Sequence, residues 1–306
     1  GSAELLLVGG ARRCVNEPGL RRSGPGRAMS DRSKEFRLTA DQFQSIRRRI
    51  SDYAGISLAE TKQDMVYGRL IRRLRALGCA GFDDYLERVE GDVGGERQRF
   101  VNALTTNLTA FFREAHHFEV LREVLAGYGR QRLRIWCSAA STGEEPQSIA
   151  MTVVEHYRSW TPPVEIIATD IDTQVLDQCR QGVYPIERID ELSTARRQQF
   201  FLRGTGPMAG KVRVRPELAR LTRFEPFNLL APDWSRFRGV DVVFCRNVMI
   251  YFDKPTQTQV LQQFHRCLNP GGWLFVGHSE SQAREVDGFA SQGHTVYRSR
   301  AAEAAA

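Results

Sequence analysis

The string Ser138-Ala139-Ala140-Ser141-Thr142-Gly143-Glu144-Glu145 follows the apolar run Leu133 to Cys137. Small residues let a backbone turn tightly and approach a ligand at the carboxyl end of a strand, where open α/β sheets bind their ligands. Roughly 25 residues further on, Asp170 closes a second apolar run, Val164 to Thr169; an acid there can accept hydrogen bonds from both hydroxyls of a ribose. The pairing points to an adenosine-containing ligand. A dinucleotide site would show GxGxxG and seat a pyrophosphate on the helix N-terminus. Here two carboxylates stand in that place. They would repel phosphate and suit an ammonium or a sulfonium, which favours S-adenosylmethionine over NAD. Either acid alone could simply stabilise a helix start through the macrodipole.

Two further polar groups fit the same site. Asn107, Thr109 and Arg113 stand with Phe111 and Phe112 just before the α/β pattern begins. An arginine there could pair with a ligand carboxylate in the usual bidentate manner; alone, the segment also reads as an ordinary interdomain helix. Arg246, Asn247 and Tyr251 follow a third apolar run, Val240 to Cys245. A strand tip of this kind is where active sites of such sheets lie, and a tyrosine that merely packs there fits the position equally well.

The elements that must hold these groups can be read from periodicity. From Phe36 to about Phe118 apolar residues recur three and four apart, as in helices. Thr39 caps one helix before Phe43, Ile46 and Ile50, and a second spans Lys62 to Leu77 with Val66, Leu70, Leu74 and Leu77 on one face. Beside that face lie Lys62, Arg69 and Arg73, with Arg72 further round. This basic stripe is either a solvated face or a contact surface for something acidic, with Arg47, Arg48 and Arg49 near in sequence. After Arg132 short apolar runs alternate with helical stretches: Glu144 to Tyr157, from Thr173, and Pro255 to Leu268, the last followed by the turn Asn269 to Gly272 and a strand Trp273 to Val276. The pattern predicts a doubly wound α/β domain with a parallel sheet covered on both faces. Between about Val183 and Phe224 a Gly-rich turn, Gly204 to Gly210, precedes the alternating Lys211-Val212-Arg213-Val214-Arg215. It reads as a small antiparallel β insert with one cationic face, its edge either left to solvent or open to a partner's strand.

The chain has 306 residues, a prior of roughly two domains at about 150 residues each, and its 42% hydrophobic and 26% charged composition excludes fibrous and wholly disordered classes. The net charge of +7 suits an acidic protein partner or nucleic acid without choosing between them. The six cysteines, Cys14, Cys79, Cys137, Cys179, Cys245 and Cys267, form no CxxC pair and read as thiols of a reducing compartment. No apolar stretch approaches the roughly 18 residues of a membrane span, so a cytosolic location is expected. Residues 1–33 read as a disordered leader or tag: the opening Gly-Ser resembles a tag scar, Met29 is a candidate start, and Leu5 to Val8 is too short for a signal peptide.

The strings TTNLTAFFRE, CSAASTGEEP, ATDID, CRNVMIYFD and GGWLFVGHSES, in this order, resemble the chemotaxis receptor methyltransferases of the CheR family, enzymes that esterify receptor glutamates with S-adenosylmethionine. The resemblance implies a class I methyltransferase domain over 119–306, its β-subdomain insert at about 183–224, and an all-α receptor-recognition domain over 34–118. It assigns the donor, and the product S-adenosylhomocysteine, to Asn107, Thr109, Arg113, Glu145, Asp170, Asn228, Leu229, Arg246 and Asn247. Tyr251 and Arg113 are placed near the reacting centre, and Lys62, Arg69, Arg72 and Arg73 on the surface that meets the receptor helices. A receptor C-terminal tether at the insert is a further implied partner; no metal and no nucleic acid are expected, and the location implied is cytoplasmic with recruitment to membrane receptor arrays. Gln147 stands where the family often has Tyr, a departure that touches a packing contact beside the donor. Two other classes remain: a nucleic-acid methyltransferase, which would want an aromatic and basic platform that the sequence lacks, and a donor-sensing adaptor without turnover, against which the intact Arg113, Asp170 and Tyr251 argue.

Overall fold

A computed structural model describes residues 35–129, 131–280, 283 and 286–300. Cys14, Met29 and the rest of the expected leader lie outside the described residues. The helical unit comprises α1 (Ala40–Ala54), α2 (Gln63–Leu77), α3 (Phe82–Glu90) and α4 (Glu96–Leu104). Thr39 starts α1 through a capping box: its hydroxyl accepts from the Gln42 N–H, and the Gln42 side chain accepts from the Thr39 N–H. The apolar stripe of α1 meets Val66, Leu70 and Leu74 of α2 in one core. Lys62, expected inside the second helix, instead ends a 3-10 turn (Glu60–Lys62) just before α2.

The α/β unit begins with α5 (His116–Tyr128), which packs on α6, so its first residues serve the sheet's core although the expected helical domain ran to 118. There follow β1 (Leu133–Cys137), α6 (Glu144–Tyr157), β2 (Val164–Asp170), α7 (Thr173–Gln181), β3 (Val183–Pro185), α8 (Thr194–Phe200), β4 (Phe201–Arg203), β5 (Lys211–Val214), α9 (Pro216–Ala219), β6 (Thr222–Pro226), β7 (Val240–Cys245), α10 (Lys254–Cys267), β8 (Leu268–Val276), β9 (Phe289–Ser291) and β10 (Val296–Ser299). The large sheet has the order β6-β2-β1-β7-β8-β10-β9. Its first five strands are mutually parallel, whereas β10 runs antiparallel to both neighbours. Apolar clusters cover both faces, which is the doubly wound arrangement. In β1, Leu133, Ile135 and Cys137 join one cluster and Trp136 the other.

Strands β6, β9 and β10 carry no continuous apolar run, because strands at or near a sheet edge are only partly buried, and periodicity does not find them. The expected turn Asn269 to Gly272 is absorbed into β8, with a register shift against β7 between Val240 and Val242. The insert is a three-stranded antiparallel sheet in the order β3-β5-β4. It closes at Val214, and Thr222, still inside the expected 183–224 span, already belongs to the large sheet. Along β5, Lys211 and Arg213 are exposed and Val212 and Val214 buried, the alternation read from the sequence. Gly204 is required at its turn: a Cβ there would lie 2.1 Å from the Met208 carbonyl oxygen.

Candidate active site

The carboxyl ends of β1, β2 and β7, the loop 104–109 and helices α1 and α2 enclose a cavity of about 470 Å³, within the size range of small-molecule sites. The turn after β1 reaches it by an unusual path. Ser141 has φ +49°, and Gly143, at φ +102°, sits so close to the insert that a Cβ would lie 2.6 Å from the Tyr184 hydroxyl. Only glycine serves there. That hydroxyl donates to the Thr142 carbonyl at 3.0 Å, so the insert braces the turn. Asp170 accepts the Ser141 N–H at 2.8 Å and the Asp172 N–H at 2.9 Å, joining the first two strand tips. Burial nevertheless pushes its carboxyl up to about 6, against the pull of those two donors.

The expectation that Glu144 and Glu145 both face a cationic ligand is corrected. Glu144 is fully buried away from the cavity; its carboxylate accepts from the Thr142 hydroxyl and lies 3.5 Å from Arg188 of the insert. Glu145 does line the cavity, but Arg246 donates to it at 2.7 Å. Burial raises the Glu145 carboxyl while Arg246 opposes the shift. Arg246 donates also to the Arg113 carbonyl, and so ties the β7 tip to the loop before α5. The cavity is therefore lined by four cations, Lys62, Arg69, Arg113 and Arg246, against two acids, Glu145 and Asp170. It is a cationic pocket, not an acidic one, because the acid that periodicity could not orient turns inward.

Asn107 and Thr109 line the cavity, as do Asn228, Leu229, Asn247 and Tyr251. The Asn107 amide donates to Asp172 at 3.0 Å, and Asp172 also accepts from the Thr105 hydroxyl while capping α7. Thr109 offers its carbonyl to Arg188 at 3.1 Å. Asn228 donates to the Tyr53 carbonyl at 2.7 Å, so it joins the sheet to α1, and buried Leu229 follows as an apolar wall. Arg113 keeps one N–H on the Leu108 carbonyl at 2.9 Å. Tyr251 is half-buried, its carbonyl accepts from the Ser57 N–H, and its hydroxyl has no hydrogen-bond partner among the described residues. The four cations of the expected basic stripe separate. Lys62 and Arg69 line the cavity, with Arg69 donating to the Leu104 and Thr105 carbonyls; Arg72 is exposed; Arg73 is bound to Glu96, which is fully buried. Arg73 is thus a member of the helical core's ion pair and not part of a free face.

Glu280 is the largest omission of the sequence reading. Its buried carboxylate accepts the backbone N–H groups of Asn247 at 2.7 Å, Met249 at 2.7 Å and Gly277 at 2.6 Å, and so fixes the segment that carries Asn247 and Tyr251. A lone acid in a turn after the last parallel strand was its only signal. Asp172 and Glu114 were missed likewise. Glu114 lies 3.4 Å from Arg246, and although burial pushes its carboxyl up, Arg246 and His278 hold it below the usual range. Beside it the buried His117 is driven down to about 3 by burial and by Arg246, and is neutral. Gln147 is fully buried, and neither of its amide atoms has a hydrogen-bond partner among the described residues.

A parallel sheet whose first strand ends in a small-residue turn and whose second ends in a buried acid is the frame of a nucleoside-binding α/β domain. Two family models match the chain: "CheR methyltransferase, all-alpha domain" over residues 41–105 and "CheR methyltransferase, SAM binding domain" over residues 107–298. The chain belongs to the CheR methyltransferase family, and its cofactor is S-adenosylmethionine. It is 53% identical over 268 residues to Chemotaxis protein methyltransferase 2 of Pseudomonas aeruginosa, covering 87% of this chain and 95% of that protein. Chemotaxis protein methyltransferases of Klebsiella aerogenes (48%, 89% and 94% covered) and Escherichia coli (47%, 87% and 93% covered) are similar over the same extent. The residues suit that ligand: Asp170 stands at the strand tip where a ribose binds, Arg113 has guanidinium N–H groups for a carboxylate, and Leu229 offers an apolar wall.

Proposed function

We propose that this chain methylates glutamate side chains on the cytoplasmic helices of chemoreceptors, forming the methyl esters of chemotactic adaptation. S-adenosylmethionine supplies an electrophilic methyl group on a sulfonium and leaves as S-adenosylhomocysteine. Asn107, Thr109, Glu145, Asp170, Asn228, Leu229, Arg246 and Asn247 form the donor's surroundings in this reading. A glutamate acceptor is ionised near neutral pH and needs no general base, so the protein's task is alignment to about 3–3.5 Å between the reacting atoms. The unpartnered Tyr251 hydroxyl donates to the acceptor carboxylate and orients it. Arg113 holds a carboxylate, the donor's or the acceptor's, with the N–H groups that Leu108 leaves over. Opposite charges cancel as the methyl moves, which a desolvated site favours.

The observation that carries this reading is the cationic lining, to which Arg69 of α2, Lys62 just before it, Arg113 in the loop before α5 and Arg246 at the tip of β7 contribute. Such a mouth attracts an acidic helix, and Arg72 extends the same face to solvent. Strands β3 and β4 are the edges of the insert, where an extended receptor tether can add by main-chain pairing. Among the described residues no helix is long and apolar enough to cross a membrane, in keeping with a cytoplasmic enzyme that reaches receptor arrays by these contacts. The test is incubation with labelled donor and receptor cytoplasmic fragments, with and without their last residues. Base-labile label on the fragments supports the reading, and its loss with the last residues supports the tether. Label on RNA, or none anywhere, refutes it.

A further inference from the structure

Four of the six histidines converge behind the donor cavity, on the far side of Arg246. The rings of His116 and His117 lie 4.2 Å apart, and that of His116 lies 5.2 Å from His278 and 5.6 Å from His294. Ligating atoms of Glu114, His116 and His117 all fall within 4.8 Å of one another. His117 is fully buried, and its Nε2 is 2.9 Å from the His294 carbonyl. A carbonyl only accepts, so the proton is on Nε2 and the lone pair is on Nδ1. Among the described residues Nδ1 has no hydrogen-bond partner and stands 3.6 Å from Glu114 Oε2, an oxygen that His278 Nδ1 and Arg246 also approach at 3.0 and 3.4 Å; the buried Nε2 of His116 is likewise without a hydrogen-bond partner. The His117 lone pair and that carboxylate oxygen face each other, an arrangement that an ion bound between them would stabilise. An imidazole whose other nitrogen is anchored on a backbone carbonyl is how metal-binding histidines are oriented.

We propose that Glu114, His116 and His117 form a binding site for one divalent transition-metal ion of the zinc class, with His278 as the fourth ligand. The His278 Nδ1 is 3.0 Å from Glu114 Oε2, on an exposed turn from which it can swing onto an ion. Nitrogen and carboxylate ligands in this number suit tetrahedral Zn²⁺ and its Co²⁺ substitute. The sequence reading named no metal because the cluster has no recognisable spacing: two adjacent histidines at the start of α5 meet a third after β8. Glu114 also lies 3.4 Å from Arg246 and accepts from the Asn247 amide at 3.4 Å. An ion drawing on that carboxylate therefore acts on two residues that line the donor cavity, and its occupancy is expected to change donor affinity.

The test uses tag-free, chelator-stripped full-length protein, titrated with Zn²⁺ against a chromophoric chelator and with Co²⁺ in the visible. One ion per chain is expected, with tetrahedral Co²⁺ bands and no thiolate charge-transfer band. Removing a ligand should weaken binding by at least the roughly 10–100-fold typical of losing an outer partner of a metal ligand. His116→Ala with His278→Ala makes the strong case, its fold checked by circular dichroism. His278→Ala alone, on an exposed turn, repeats the test should the double variant unfold. No binding at micromolar metal, binding indifferent to both variants, or a thiolate band placing the ion on a cysteine would each overturn the proposal.

Discussion

Two buried glutamate–arginine pairs, one in each unit, use the same chemistry for different ends. In the helical unit Arg73 of α2 donates to Glu96 of α4 at 2.8 and 2.6 Å, the Tyr85 hydroxyl adds to the same carboxylate at 3.2 Å, and the pair joins helices within a core. In the sheet Arg246 bridges Glu145 and the Arg113 carbonyl, with Glu114 at 3.4 Å, and the pair forms part of the cavity wall. Both lose their solvation on folding and are held by geometry. Only the second sits where a ligand can feel it. Charge and burial therefore do not mark a functional arginine; its placement at a strand tip does.

The sharpest way to break this comparison is Arg246→Met. It leaves Glu145 buried without its partner, which should cost about 3–5 kcal/mol in denaturant unfolding, and donor binding should be lost with it. Next in size is Tyr251→Phe, expected to leave stability within about 0.5 kcal/mol and to slow methyl transfer by about 10–100-fold, as removal of a hydrogen bond to a charged group of about 1.5–3 kcal/mol would. Transfer equal to wild type would remove the hydroxyl from the mechanism. Arg73→Met should cost about 1–3 kcal/mol of stability, less than its counterpart because Arg99 stays 3.6 Å from Glu96. Donor affinity should not move, and a fall would erase the distinction between the pairs.

A smaller effect concerns pH. Burial raises the Asp170 carboxyl to about 6, and only the ionised form accepts from both ribose hydroxyls. Donor affinity should rise as pH increases through about 6, level off above it, and lose that step in Asp170→Asn; titration calorimetry across the range checks both. Smallest of all, Arg72→Ala should leave donor binding unchanged and weaken receptor capture by less than about 1 kcal/mol, as exposed charges do.

The sequence already carried the interior strands β1, β2 and β7, the helix cap at Thr39 and the alternation of β5, because each depends on neighbours a few residues away. The cavity's membership was legible too: Asn107, Asp170, Arg246 and Tyr251 all line it. What could not be read was the partner of each charge. Glu144 and Glu145 are adjacent in sequence, yet helical geometry sends one to Arg188 and the other to Arg246. Arg73 shares an edge with Arg69, but Glu96, 23 residues later, claims it. Glu280 holds the N–H groups of Asn247 and Met249, which lie in a different string of the sequence. These are long-range pairings, set by packing and invisible to local periodicity.

The central claim is that the cavity at the tips of β1, β2 and β7 takes the methyl donor through Asp170. Calorimetric titration of wild type and Asp170→Ala with S-adenosylmethionine and S-adenosylhomocysteine tests it most directly. The account predicts one site per chain for both molecules and its loss in the variant. Absence of heat with either ligand, or unchanged binding in the variant, would contradict it.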